Sequence, residues 1–206
     1  MIFVIVPLGK EAKDVASWLV RVVMHGAGTI VGAALMSLVV GLAGAWFYSI
    51  LGGADIEASE ASIVILGVAA LLFALHELNI VRLPSPQVGW QVPASWMRRS
   101  RLLGNTLYGL VLGAGVFTFI PFASFYLLLA LEFVVGAVDL RAAVALGMVY
   151  GIMRGLPAVL GGISMLRLQN PVPVSDWLIA RLGWWHALNA LVLLLVGGFF
   201  LGSFLI

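Results

Sequence analysis

Gly26-Ala-Gly-Thr-Ile-Val-Gly-Ala-Ala-Leu-Met-Ser-Leu-Val-Val-Gly-Leu-Ala-Gly-Ala-Trp-Phe-Tyr-Ser-Ile-Leu51 contains no charged residue. A helix needs roughly 20 apolar residues to cross a hydrocarbon core about 30 Å thick, so this stretch reads as a complete membrane span. The rest of the chain keeps the same character. Of 206 residues, 63% are hydrophobic and 10% charged, too little polar surface to clothe a water-soluble globule of this size. The expected fold is therefore an all-α polytopic membrane protein, a single membrane domain over residues 1–206 with the lipid bilayer as its solvent.

Four further apolar blocks give five transmembrane helices in all, at about 26–51, 61–81, 106–135, 142–163 and 184–206. The second stops before Pro84 and Pro86, which lack the amide hydrogen a helix needs. The third is interrupted by Pro121, which predicts a helix kink. Residues 1–25 read as an N-terminal interfacial segment, because Val15, Trp18, Leu19, Val22 and Val23 recur at helical spacing beside Lys13 and Arg21. The same residues would equally suit the lower end of the first span. The opening Met1-Ile-Phe-Val-Ile-Val-Pro-Leu8 has no basic residue ahead of it and is too short for a signal-peptide core, so the first span is expected to direct insertion itself.

Lysine and arginine set the orientation, because cytoplasmic connections are enriched in them. Of the eleven such residues, all but Arg141 and Arg154 fall before span one, between spans two and three, or before span five. The N-terminus is thus expected in the cytoplasm and the C-terminus outside. The acidic connection Gly52-Gly-Ala-Asp-Ile-Glu-Ala-Ser-Glu60 agrees with an external position. Residues 82–105 become a basic cytoplasmic loop in which Arg98, Arg99 and Arg101 would contact anionic lipid headgroups. A formal charge of +2 spread in this way marks topology and does not form a nucleic-acid surface, so no nucleic acid partner is expected.

Zero cysteines exclude disulfide exchange, thiolate nucleophiles and cysteine-ligated metals. The sequence also lacks a metalloprotease His pair, a phosphate-binding glycine loop and a nucleophile elbow, so no enzyme activity is expected.

Arg154 is the strongest local anomaly. Counting at 1.5 Å per residue puts it roughly 18 Å below the external surface, inside the hydrocarbon, where a charge requires a partner or a wet cavity. Glu77, at roughly 24 Å depth by the same count, is the natural counter-charge, whereas Glu132 falls near the external face. The Arg154 and Glu77 combination reads either as a structural ion pair or, with the kink at Pro121, as a midmembrane transport site for a small solute or ion. His25, His76 and His186 all map near the cytoplasmic boundary. With Glu77 they would suit a metal, haem or pigment as an alternative to interfacial histidines satisfied by backbone, and no cofactor is otherwise expected.

Small residues permit close helix approach in lipid, so Gly28 with Gly32, Gly109 with Gly113, and Gly147, Gly151 and Gly155 mark faces that should meet other helices.

The second half resembles the transmembrane domain of the thiol-disulfide electron transporters of cytochrome c biogenesis, the CcdA/DsbD type. The resemblance rests on Gly109-Leu-Val-Leu-Gly-Ala-Gly115 leading into Thr118-Phe-Ile-Pro121, and on Gly147-Met-Val-Tyr-Gly-Ile-Met-Arg-Gly-Leu-Pro157, and it covers about 82–162. It implies a shared helical scaffold. The family's proline-flanked cysteines have no counterpart, since Pro121 is followed by Phe122, so its reaction does not transfer. The family's core also has six crossings in two related halves, where five are counted here. Sequence alone favours a non-catalytic accessory or structural subunit that packs against other membrane protein subunits, with the small-solute transporter as the alternative.

Overall fold

The computed structural model of the chain describes residues 15–51, 60–84, 101–115, 118, 120, 122–168, 177 and 180–205. Among them are six α-helices and no strand: α1 Val15–Ile50, α2 Glu60–Glu77, α3 Arg101–Ala114, α4 Ser124–Val138, α5 Leu140–Leu168 and α6 Leu182–Leu205. Three are long and apolar enough to cross a membrane, over Ala16–Ile50, Leu140–Leu160 and Leu182–Phe204. The other three are apolar but shorter.

Two features bear on the sequence expectation. The segment from Val15 to His25 continues into α1 without interruption, and Trp18, Arg21, Val22 and His25 on it are buried. The expected third span is not one kinked helix. It is two helices, α3 of 14 residues and α4 of 15, each only about 22 Å long at 1.5 Å per residue. The physical cause at the first end is Gly115, whose φ of 77° is a left-handed conformation that glycine adopts without strain and that ends a helix. Pro121 itself lies outside the described residues, as do Arg98 and Arg99; Arg101 opens α3, with its side chain undescribed.

Backbone contacts gather the residues into two compact units, each assembled from three separate stretches of chain. Unit 1 comprises residues 1–36, 88–119 and 147–181, and unit 2 comprises 37–87, 120–146 and 182–206.

In unit 1, glycine brings backbones together. A Cβ added at Gly28 would meet the Thr106 carbonyl, and one at Gly32 the Leu110 carbonyl; from the other side, Gly109 faces the His25 carbonyl and Gly113 the Thr29 carbonyl. The ridges of α1 and α3 are thus pressed into one another. From α5, a Cβ at Gly151 would lie 2.7 Å from the Thr29 carbonyl oxygen, and one at Gly155 would lie 3.0 Å from the Thr29 hydroxyl. Thr29, fully buried, is where the three helices converge. In lipid, helices gain little from hiding leucine, and close approach through small residues supplies much of the packing.

Unit 2 has an apolar core of Leu66, Ala70, Ala74, Leu127 and Leu193, contributed by α2, α4 and α6. Gly67 and Gly197 let α2 and α6 approach, facing Leu201 and Leu71 respectively. The α4–α5 corner turns on Asp139, whose carboxylate accepts from the amides of Arg141 at 2.8 Å and Ala142 at 3.2 Å. This caps α5 by satisfying two of the donors that a helix start leaves open.

Candidate functional site

The interruption between α3 and α4 creates two helix ends inside apolar surroundings. A helix end leaves carbonyls or amides without intrahelical partners, and in a bilayer no water is at hand to satisfy them. The chain meets each end with a buried charged side chain of the sign that the helix dipole favours.

In unit 1, the C-terminal end of α3 receives Arg154. This residue, 8% exposed on α5, donates from Nε to the Leu112 carbonyl at 2.8 Å and from Nη2 to the Thr118 hydroxyl at 2.9 Å. The Gly115 amide also donates to Leu112 O, at 3.2 Å, while Thr118 returns its amide and hydroxyl to Gly115 O at 3.1 and 3.2 Å. Gly151 and Gly155, flanking Arg154, seat α5 against α1. The guanidinium carbon also lies 5.7 Å from the centre of the Tyr150 ring, a cation–π distance. Around this arginine the unit carries further buried polar groups. Arg21, His25 and Thr29 recur every fourth residue of α1, and the His25 ring lies 5.7 Å from the Tyr108 ring, with its Nε2 lacking a hydrogen-bond partner among the described residues.

In unit 2, the N-terminal end of α4 receives Glu77. Ala123, at the cap position of α4, has no side chain able to accept from the first amides. Its own N–H instead donates to Glu77 Oε1, reaching across from the last residue of α2. The second oxygen, Oε2, accepts from His186 Nδ1 of α6, and the His186 ring lies 5.2 Å from the Phe122 ring. Glu77 is buried and the His186 side chain is 30% exposed. Next to Glu77, His76 Nδ1 accepts from the Leu83 amide at 3.1 Å and closes the turn after α2, which passes through Asn79 at a φ of 58°.

The sequence-predicted residues are thus brought into two settings. Arg154 has partners on α3 and in the interruption, whereas Glu77 has partners on α4 and α6. The partner of Glu77 seen here is His186, one of the three histidines that the sequence grouped with it. Among the described residues no group of three or more His, Asp or Glu side chains gathers as a metal ion would require. His76 and His186 each engage a partner through Nδ1. Thr118 and the Leu112 carbonyl were not anticipated as partners of Arg154. The signal that could have found them is the Gly115 to Pro121 spacing, which marks a helix with two ends to satisfy.

Helical, rich in buried backbone closures and equipped with three candidate spans, the chain has the make-up of a polytopic membrane-type helical protein. It is similar to the methylamine utilization protein MauF of Paracoccus versutus, 30% identical over 174 residues that cover 84% of this chain and 58% of the relative. It is also similar to MauF of Methylorubrum extorquens, 30% identical over 195 residues that cover 93% of this chain and 64% of the relative. MauF of Paracoccus denitrificans is 27% identical over 177 residues, 83% of this chain and 56% of the relative. The chain spans less than two thirds of the length of these curated relatives. No protein-family model and no solved structure matches it.

Proposed function

We propose that this chain is a multi-pass cell-membrane protein that serves methylamine utilization as a non-catalytic accessory subunit of a larger membrane assembly. The observation that carries the reading is the similarity to MauF proteins over 82–93% of the chain. The partners of Arg154 and Glu77 support a structural role, since each charge closes a helix end that would otherwise leave backbone groups unsatisfied. On this reading the N-terminus lies in the cytoplasm, because the basic residues concentrate on the connections that would share that side. On this reading a scaffold of CcdA/DsbD type is used without cysteines, for assembly and not for electron transfer.

Complementation tests the proposal. A Methylorubrum extorquens strain deprived of its own MauF and supplied with this chain is expected to regain growth on methylamine, and mild detergent extraction from it should bring down other membrane proteins with the chain. A chain that inserts stably yet restores no growth and purifies as a lone monomer would contradict the reading.

A further inference from the structure

Glu132 of α4 is 1% exposed, and so is Ser37 of α1. The Ser37 hydroxyl donates to Glu132 Oε1 at 2.7 Å, while Oε2 has no hydrogen-bond partner among the described residues. The helices close tightly at this level: a Cβ at Gly136 would fall on the Gly41 backbone, and one at Gly44 on the Phe133 carbonyl. An ionised carboxylate carries acceptor sites on both oxygens, and leaving one oxygen bare in apolar surroundings costs far more than leaving a neutral group unpaired. The geometry suits a neutral acid, with Oε1 as the carbonyl oxygen that accepts from Ser37 and Oε2 as the hydroxyl.

We propose that Ser37 and Glu132 form an intramembrane proton-binding site, in which Glu132 Oε2 holds the proton and Ser37 fixes the opposite oxygen. Binding forms one O–H bond and breaks none within the protein, so its ligand is the proton itself. Glu77, bound to the Ala123 amide and His186, belongs to the other end of α4, nine residues or about 13 Å along the helix. Past the C-terminal end of α4, Asp139 is engaged by the Arg141 and Ala142 amides, and both Asp139 and Arg141 are exposed. On the second half of α1 the titratable group is Tyr48, paired with the Ser62 hydroxyl at 2.8 Å. On α2 they are His76, held by Leu83, and Glu77 at the end of the helix, with Glu60 at its start, whose side chain lies outside the described residues. Tyr126 of α4 packs on Phe73.

Infrared spectroscopy of the whole purified chain in lipid nanodiscs tests this at neutral pH. The wild type is expected to show a carbonyl band from a hydrogen-bonded neutral carboxyl. Glu132→Gln should abolish that band, and Ser37→Ala should move it to higher frequency because the bond to Oε1 is gone. A hydrophobic carbodiimide, which reacts with protonated carboxyls, should label the peptide containing Glu132 in the wild type and lose that label in Glu132→Gln. If Glu132→Gln fails to fold, the Ser37→Ala shift and the wild-type label still decide. A wild-type spectrum without the band, a band that Ser37→Ala leaves in place, or labelling that avoids Glu132 overturns the proposal.

Discussion

Arg154 Nε lies 2.8 Å from the carbonyl oxygen of Leu112, so an arginine of α5 supplies a donor where α3 stops. The residues are 42 apart in sequence, and α5, seated on α1 through Gly151 and Gly155 and on α3 through Ala158 and Tyr108, brings them together. Hydrogen bonds from charged groups contribute about 1.5–3 kcal/mol each, and here two run from one side chain.

Arg154→Leu is accordingly expected to lower the unfolding free energy by about 3 kcal/mol. Arg154→Lys should recover only part of that loss, because an ammonium lacks the planar fork that reaches a carbonyl and a hydroxyl together. Denaturant titration of the purified protein in mild detergent measures both. Equal stability of the leucine variant and the wild type would remove the arginine from the closure of α3.

Glu77 offers a different comparison, since its two oxygens have different partners. Glu77→Gln retains an acceptor for the Ala123 amide, whereas Glu77→Ala removes it, so the alanine variant should be less stable by about 1–2 kcal/mol. Hydrogen exchange at the first amides of α4 should rise in Glu77→Ala before the rest of unit 2 is affected. A double-mutant cycle with His186→Ala is expected to return a coupling energy, because the pair is in direct contact.

The glycines divide sharply. Gly113→Ala would place a Cβ on the Thr29 backbone carbonyl, which cannot rotate away, and should cost about 1–3 kcal/mol. At Gly202 nothing lies within 4 Å, and Gly202→Ala should be neutral or stabilise by up to about 1 kcal/mol through the helix. Thermal unfolding of the two variants side by side makes the comparison, and equal effects would dissociate the glycine ridge from packing.

Much of this fold was legible in the sequence. Apolar block length located the helices, and the spacing of Gly28, Gly32, Gly109 and Gly113 identified faces that do meet, because both signals are local and periodic. The partners of the charges were not legible. Arg154 and Glu77 each serve a helix end, and where those ends fall depends on Gly115 stopping α3, which a depth count along unbroken helices does not register. Likewise, packing through Gly41, Gly44 and Gly136 encloses Glu132 with Ser37, which no count along a helix registers. Burial of a single side chain depends on which neighbours arrive from distant stretches of chain, and no periodicity encodes that.

The cysteine-free sequence makes the topology directly testable, since any introduced cysteine is unique. Ala58→Cys is expected to react with a membrane-impermeant maleimide on intact cells, and Ser100→Cys only after permeabilisation. Reaction of Ser100→Cys from outside would reverse the orientation.

Where α1 meets α3, glycine on each helix rests against peptide carbonyls of the other, with no side chain between them to bend. Advancing α1 by one residue would swing its glycines about 100° off the contact and drive a β-carbon into the opposing main chain. Screw-like movement of one helix against the other is therefore opposed along this seam.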